Sequence, residues 1–147
     1  MHIRRARAED VGQIVAMLAD DHLGRGRENT ADLRPYQQAF AAIEADGNQF
    51  LAVAEEDGEL IGTMQLTFIP GLSRQGGTRA LVEAVRVRAD RRSGGRGARL
   101  MKWAVDEARR RGCAMIQLTS DASRFDAHRF YEKLGFEQSH LGFKLLL

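Results

Sequence analysis

The amino-acid sequence predicts an α/β domain with a mixed, mostly antiparallel sheet flanked by helices, and three observations support this. Apolar residues switch along the chain between the alternating spacing of strands and the wider spacing of amphipathic helices. The run Glu56-Asp57-Gly58 separates two strand-like segments, as the turn of a β-hairpin does. A glycine-rich segment at 92–97 follows a further strand-like run and opens a helix-like one. Strands and helices that alternate in this way favour a sheet covered by helices.

The first half of the chain is predicted to contain a strand, two helices and a hairpin. Val11, Ile14, Val15 and Leu18 have helical spacing, and Pro35 is acceptable in the first turn of the second helix. The predicted elements are a strand at 1–5, helices at 8–21 and 33–45, and strands at 49–54 and 60–69, with a mobile loop at 24–29.

The second half is predicted to continue with single strands and helices. The elements are a turn-rich loop at 70–77, a strand at 81–87, a helix at 95–111, a strand at 114–119, a helix at 126–134 ended by Gly135, and strands near 136–139 and 143–147. The resulting order is β-α-α-β-β-β-α-β-α-β-β. Residues 1–147 are predicted to form a single domain, because this length supports one sizeable core.

Composition restricts the class of protein. A hydrophobic content of 44% and a charged content of 29% are typical of a soluble globular domain. No apolar run is long enough for a membrane span, and the first residues lack the apolar segment of a secretory signal. The single Cys113 suits a reducing compartment, so a cytoplasmic location is expected. Cys113 begins an apolar run, which favours a buried structural thiol over a nucleophile.

The glycine-rich segment Arg92-Ser-Gly-Gly-Arg-Gly-Ala-Arg-Leu predicts an anion site. Its glycines let backbone N–H groups approach a phosphate, and the start of the following helix adds partial positive charge. The segment contains no lysine, which excludes a Walker A loop, and Leu100 stands where a dinucleotide fingerprint needs glycine. The alternative is an ordinary helix start on a basic surface.

Positive charge is concentrated between residues 86 and 111, where the local net charge is about +7. Such a patch raises nucleic acid as a possible partner. The run Arg109-Arg110-Arg111 before Gly112 is more simply the end of a helix, because cations favour the C-terminal dipole. The remaining arginines surround the glycines, where a compact polyanion fits better than a duplex, so no nucleic-acid partner is expected.

Three motifs together resemble the GNAT superfamily of N-acetyltransferases. They are Val85-x-Val87, the pattern Arg-x-x-Gly-x-Gly-x-x-Leu from Arg92, and the signature Ala127-His-Arg-Phe-Tyr-Glu-Lys-Leu-Gly-Phe136. With the order of elements, the resemblance covers nearly the whole chain. The segments 126–131 and 137–140 also resemble the aminoalkylphosphonate N-acetyltransferases of that superfamily.

The resemblance implies acetyl-CoA as co-substrate and assigns residues to it. The backbone of Val85, Arg86 and Val87 is expected to bind the pantetheine arm and polarise the acetyl carbonyl. The expected pyrophosphate site contains Arg92, Gly94, Gly95, Arg96, Gly97 and Ala98. Tyr131 matches the tyrosine that protonates the leaving thiolate, although a packing role beside Phe130 is the alternative. The family often has asparagine where this chain has Arg124, which either contacts a cofactor phosphate or is solvated.

Glu83 is the candidate general base for acetyl transfer to an amine. It is a carboxylate within an apolar strand that leads to the glycine-rich segment, and such a charge is costly unless it is used. Many family members carry glutamate at this position. The alternative is a structural ion pair with an arginine. Ala84 has no group that handles protons.

The sequence indicates less about the acceptor substrate and about the oligomeric state. His22, His128 and His140 match no zinc motif, so no metal is expected. The acceptor is expected to enter near residues 21–32, 70–78 and the C-terminal strands, where Arg74 and Arg79 are candidates for binding an acidic group or are simply solvated. The expected acceptor is a small primary amine. The alternative acceptors are a protein N-terminus and a lysine. The alternative functions are a non-catalytic CoA-binding module and a nucleic-acid-binding module. The sequence also leaves a homodimer open.

Overall fold

The computed structural model describes residues 1–20 and 24–147. These residues form two compact units, Met1–Gln117 and Leu118–Leu147. His22 and residue 21, the predicted end of the first helix, lie outside the described residues, and so does the start of the predicted acceptor loop. Across the described ranges, no helix is both long enough and apolar enough to cross a membrane. That residues 1–147 form a single domain stays a prediction.

One five-stranded sheet has the strand order β1-β2-β3-β4-β5. Neighbouring strands from β1 to β4 pair antiparallel. The turn of the predicted hairpin has positive φ at Asp57 and Gly58, 54° and 80°, as tight hairpin turns require. All five strands were predicted from sequence, with ends displaced by at most two residues or so. Their bounds are β1 (His2–Arg5), β2 (Gln49–Glu56), β3 (Glu59–Ile69), β4 (Arg79–Val87) and β5 (Met115–Leu118).

The helices predicted from sequence are also present. A 3-10 turn, Ala8–Asp10, replaces the first turn of the first predicted helix. The short α3 lies in the segment predicted to be a turn-rich loop, and Arg74 and Gln75 there have left-handed φ of 54° and 59°. The helices are α1 (Val11–Ala19), α2 (Arg34–Ala45), α3 (Ser73–Gly76), α4 (Arg96–Arg110) and α5 (Phe125–Lys133).

Apolar residues of α1 and α2 cover one face of the sheet. Val15 and Ile14 of α1 and Phe40 of α2 belong to one buried cluster with Leu51 and Val53 of β2. These positions have helical spacing on α1 and alternate along β2, so the periodicity of the sequence predicts which side chains the core contains.

The helix α4 packs along β3 and β4 through Leu100, Met101 and Ala104, which are buried. Gly62 of β3 allows this close approach. A Cβ on Gly62 would lie 3.7 Å from Leu100 Cδ2 and only 3.0 Å from the Arg86 carbonyl oxygen. A larger residue at this position would therefore push β3, β4 and the helix apart.

The C-terminal end of α4 is fixed by Arg111. Its guanidinium lies 4.0 Å from the Phe68 ring centroid and 5.8 Å from that of Phe50. It also donates to Glu107 Oε1 at 2.8 Å. Gly112, with φ of 71°, ends the helix. The basic run 109–111 is therefore a helix end, as predicted.

The second unit contains α5 and the C-terminal tail. Gly135, with φ of 89°, follows the helix, and Phe136 N donates back to the Tyr131 carbonyl. The predicted strands at 136–139 and 143–147 are wrong, because residues 136–147 are described and none lies in a strand. Alternating apolar residues form a strand when one face is buried, whereas Leu141, Phe143 and Leu145 are at least 80% exposed.

Candidate active site

A bulge interrupts β4 at its centre. Glu83 pairs with Gln65 and Arg86 pairs with Thr63, so Ala84 and Val85 together face Met64 of β3. Ala84 has φ of 53°, which turns the backbone at this point. A bulge of this kind removes backbone groups from the ladder and re-aims them. The β4 backbone beside Glu83 is thus available for hydrogen bonds to a ligand.

Glu83 lies on β4 directly before the bulge and is exposed. In the part of the chain that the structure describes, its carboxylate forms no hydrogen bond or ion pair. The arginines close to it in sequence have other partners. Arg88 binds Asp90 and Glu59, and Arg86 donates to the Val85 carbonyl at 2.8 Å. The structure therefore does not support the structural ion pair that the sequence left open for Glu83.

The glycine-rich segment opens α4 with the backbone that the sequence predicts. Gly94 and Gly95 have φ of 63° and 73°, and Gly95 is the N-cap of the helix. The first N–H groups of a helix have no partner within it, and its dipole adds partial positive charge there. Those groups belong to Arg96, Gly97 and Ala98. This local geometry suits an anion.

Arg92 links the glycine-rich segment to two other elements. Its Nε donates to the Val87 carbonyl at 3.0 Å, and its Nη2 donates to the Asp20 carbonyl at 2.9 Å. The Asp20 carboxylate is 3.5 Å from the same nitrogen. Arg92 thus connects the ends of β4 and α1 in this structure.

Arg96 binds Glu56, at the end of β2, through Nε at 2.8 Å and Nη2 at 2.6 Å. The hydrogen bond from Arg96 lowers the pKa of Glu56 below its ordinary value. Arg99, one turn along α4, is exposed and has no ion pair within the described ranges. The arginines of the motif therefore differ: two are held by the protein and one projects into solvent.

Other arginines of the segment 86–111 also form ion pairs with acidic side chains. Arg91 binds Glu59 at 2.7 Å, and Arg110 binds Glu107 at 2.7 Å. Hydrogen bonds, above all from Arg110, lower the pKa of Glu107, which keeps this buried group ionised. Much of the positive charge seen in the sequence is thus compensated locally.

Tyr131 and Arg124 lie on the second unit. The Tyr131 ring packs against Phe130 and Phe136, with centroids 5.2 Å and 6.0 Å apart. Arg124 is the N-cap residue of α5, and its carbonyl accepts from His128 N at 3.1 Å. Both residues are half-buried.

The remaining candidates have local environments that account for them. His128 Nε2 lies 2.8 Å from the Asp121 carbonyl, and His140 Nδ1 lies 2.7 Å from Ser139 Oγ. Among the described residues, no three His, Cys, Asp or Glu side chains are grouped to hold a metal ion. Burial raises the pKa of the Cys113 thiol, which disfavours the thiolate that a nucleophile needs.

Sequence reasoning missed a polar row beside Glu83. Gln65 and Thr67 of β3 both hydrogen-bond Gln49 Oε1 of β2, at 2.8 Å and 2.9 Å. The available signal was the alternation of Thr63, Gln65 and Thr67 with apolar residues along β3. That alternation indicates a polar strand face, but only the register brings this face next to Glu83.

Comparison with known proteins identifies the family. The family model described as "Acetyltransferase (GNAT) family" matches residues 11–136. An aminoalkylphosphonate N-acetyltransferase of Salmonella typhimurium is 30% identical over 141 residues, which are 96% of this chain and 88% of the relative. Both resemblances predicted from sequence are thereby confirmed.

Two solved structures show the same fold. One, described as a transcriptional regulator from Bacillus halodurans, has a TM-score of 0.94 and 46% identity and covers 99% of each chain. The other, a predicted acetyltransferase from Clostridium acetobutylicum solved with acetyl-CoA, has a TM-score of 0.76 and 21% identity, over 99% of this chain and 95% of that one. The chain therefore belongs to the acetyltransferase (GNAT) family and is an acetyltransferase.

Proposed function

We propose that this protein transfers an acetyl group from acetyl-CoA to the primary amine of a small molecule by direct attack. One observation carries the proposal. An unpaired carboxylate, Glu83, directly precedes a bulge that withdraws Ala84 and Val85 from the sheet ladder. An amine that attacks a thioester needs a group that accepts its proton and N–H groups that stabilise the developing oxyanion. Glu83 and the backbone at the bulge are candidates for these two roles.

The proposed binding site for acetyl-CoA combines backbone and side chains. The backbone of Val85, Arg86 and Val87 binds the pantetheine arm, and the segment from Arg92 to Ala98 binds the pyrophosphate. Because Arg96 binds Glu56 and Arg92 binds carbonyl groups, we assign the larger share of pyrophosphate binding to the N–H groups of Gly97 and Ala98. Arg124 is proposed as a further contact to the cofactor. The relative from Clostridium acetobutylicum, solved with acetyl-CoA, supports this ligand.

The proposed chemistry is a single acyl transfer. Glu83 accepts a proton from the amine, directly or through a water molecule, so that the nitrogen can attack the thioester carbonyl. The Val85 N–H stabilises the oxyanion that develops. The new C–N bond forms as the C–S bond breaks, and Tyr131 donates its phenolic proton to the departing thiolate. The products are the N-acetyl compound and the CoA thiol, and proximity of the two reactants supplies much of the rate.

The acceptor class rests on homology and on the site. The name of the Salmonella typhimurium relative describes an enzyme that acetylates aminoalkylphosphonates, which are small amines. A protein N-terminus or a lysine is the alternative acceptor. The proposal includes a cytoplasmic location.

Thiol release from acetyl-CoA with a panel of amines tests the activity, and thermal unfolding tests the cofactor site. Acetyl-CoA should raise the melting temperature by mass action. Gly97→Asp should abolish that shift, because it adds negative charge where a phosphate binds. Aspartate is favourable in a first helical turn, so this variant should stay folded. Gly47→Asp, at an exposed glycine with open space around it, is the matched control. No shift with acetyl-CoA would refute the cofactor site.

Nucleic-acid binding is a second candidate because the Bacillus halodurans relative is described as a transcriptional regulator. The compensation of Arg88, Arg91 and Arg110 by acidic side chains disfavours it. Binding to duplex DNA that weakens steeply with salt would favour this candidate over the amine.

A further inference from the structure

Three polar side chains, Gln49, Gln65 and Thr67, form what we call the polar strip. Across the antiparallel pairs, Gln49 lies opposite Thr67, and Gln65 lies opposite Glu83. Residues directly opposite one another in a sheet project from the same face. The polar strip and Glu83 therefore share one face of the sheet.

Hydrogen bonds within the polar strip fix its donors. Gln49 Oε1 accepts from Gln65 Nε2 at 2.8 Å and from Thr67 Oγ1 at 2.9 Å. This leaves both N–H groups of Gln49, one N–H group of Gln65 and Gln65 Oε1 without a protein partner in the described ranges. All three residues are half-buried. The strip is thus a preorganised set of mostly donating groups.

The polar strip interrupts an apolar face. Further along the same face, Leu51 and Val53 of β2 are buried under α1 and α2. Thr63, the polar residue of β3 on this side, is buried and satisfied by the Ala52 carbonyl at 2.9 Å. The polar strip differs from Thr63 because some of its amide groups have no hydrogen-bond partner in the described part of the protein. A polar ligand can therefore form hydrogen bonds with these amide groups, whereas the Thr63 hydroxyl is already bonded.

A cation lies at the far end of this face. Arg79, Leu81 and Glu83 alternate along β4, so their side chains project from the same side. Arg79 is exposed and forms no ion pair in the part of the chain that is described. It lies four residues from Glu83, about 13 Å along the strand at the usual rise.

We propose that the polar strip binds the oxygen-bearing tail of the acceptor amine and that Arg79 binds a negative charge on that tail. This inference rests on the proposed function. The acceptor is a primary amine that carries hydroxyl, carbonyl or oxyanion oxygens. Neighbouring strands are about 5 Å apart, so these oxygens lie roughly 5–10 Å from the nitrogen held at Glu83. An amine with an apolar tail leaves the donors unsatisfied and binds poorly.

Matched pairs of amines test the polar strip. 4-Aminobutanol and pentylamine differ only in a hydroxyl group in place of a methyl group, and so do 5-aminopentanol and hexylamine. The wild-type protein should prefer the oxygenated member of at least one pair by about 10-fold or more in kcat/KM, since unsatisfied donors penalise the other. Gln49→Met and Gln65→Met keep the side-chain length and remove the amide, so they should reduce this preference towards unity. Thr67→Val is a second, smaller test of the same strip.

Controls separate the possible outcomes. Gln38→Met, at an exposed position on α2, should leave the preference unchanged. Arg79→Gln should lower kcat/KM for an aminoalkylphosphonate and spare the neutral amino alcohols. Thiol release with apolar and oxygenated amines at equal efficiency, or a preference that survives Gln49→Met and Gln65→Met, would overturn the inference while the proposed function stands. No thiol release with any amine would overturn both. Melting temperatures show whether each variant is folded.

Discussion

Arg96 donates two hydrogen bonds to one carboxylate oxygen of Glu56, from Nε at 2.8 Å and from Nη2 at 2.6 Å. This ion pair joins the first residue of α4 to the end of β2. Arg96, which the family resemblance assigns to the pyrophosphate site, thus has a structural role. It orients the helix start whose N–H groups we assign to the pyrophosphate.

We expect Glu56→Gln and Arg96→Gln each to lower the melting temperature and to be strongly non-additive. The double variant should be little less stable than either single variant, because both remove the same interaction. Thermal unfolding of the four proteins measures the coupling. Additive losses would show that Arg96 and Glu56 act independently.

Ala84 should be sensitive to the shape of its replacement. Its φ of 53° is costly for residues with a Cβ and most costly for β-branched ones. Ala84→Gly should stabilise the protein by about 1 kcal/mol, and Ala84→Val should destabilise it by about 1–2 kcal/mol. Urea unfolding measures both. Ala89→Val, at an exposed position with ordinary φ, should change stability little, and an equal loss at both sites would contradict a strained bulge.

Glu83→Gln should reduce turnover by about 100-fold at neutral pH, since it removes the proposed general base. The deficit should shrink at high pH, where more of the amine is already neutral. The pH profile of kcat, with acetyl-CoA affinity from thermal shifts, tests this. Glu44→Gln, an exposed carboxylate on α2, is the control. A Glu83→Gln protein with wild-type turnover at pH 7 would move the base to water or to another carboxylate.

Tyr131→Phe should lower turnover at every pH at which the phenol is protonated, by a factor on the order of 100. The phenylalanine ring keeps the packing against Phe130 and Phe136, so the variant should stay folded. Initial rates across the pH range separate it from Glu83→Gln. Full activity would reduce Tyr131 to a packing residue.

Asp10→Asn should destabilise the protein by about 2 kcal/mol at neutral pH, because a charged hydrogen bond is lost. The carboxylate is buried, with Arg4 Nη1 at 2.7 Å and Arg7 N at 2.8 Å. Burial alone would raise the pKa of Asp10, but hydrogen bonds, first from Arg4 and then from the Arg7 N–H, outweigh it and lower the pKa.

The pH dependence of this effect follows from the lowered pKa. A depressed folded-state pKa gives stability that is present above the unfolded pKa, about 4, and lost as the pH falls through the folded value. The difference in unfolding free energy between wild type and Asp10→Asn should therefore shrink below about pH 4. Urea unfolding at several pH values measures it, and a difference that is constant with pH would contradict the ion pair.

The sequence by itself determined the order of the main helices and strands through β5 and α5, because apolar periodicity, the hairpin turn and the glycine caps act within a few residues. It also singled out Glu83, as a carboxylate in an apolar strand, and the glycine-rich helix start. The strand predicted at residues 143–147 is wrong. A strand needs a buried face and a neighbouring strand, and the local sequence encodes neither.

Only the tertiary structure decided which charges are compensated. Arg96 binds Glu56, forty residues away in sequence, and Arg92 binds Asp20, seventy-two residues away. It also decided the bulge at Ala84, which depends on the register between β3 and β4. The polar strip lies beside Glu83 for the same reason. Strand register brings residues distant in sequence onto one face, and that pairing depends on the whole core rather than on any local pattern.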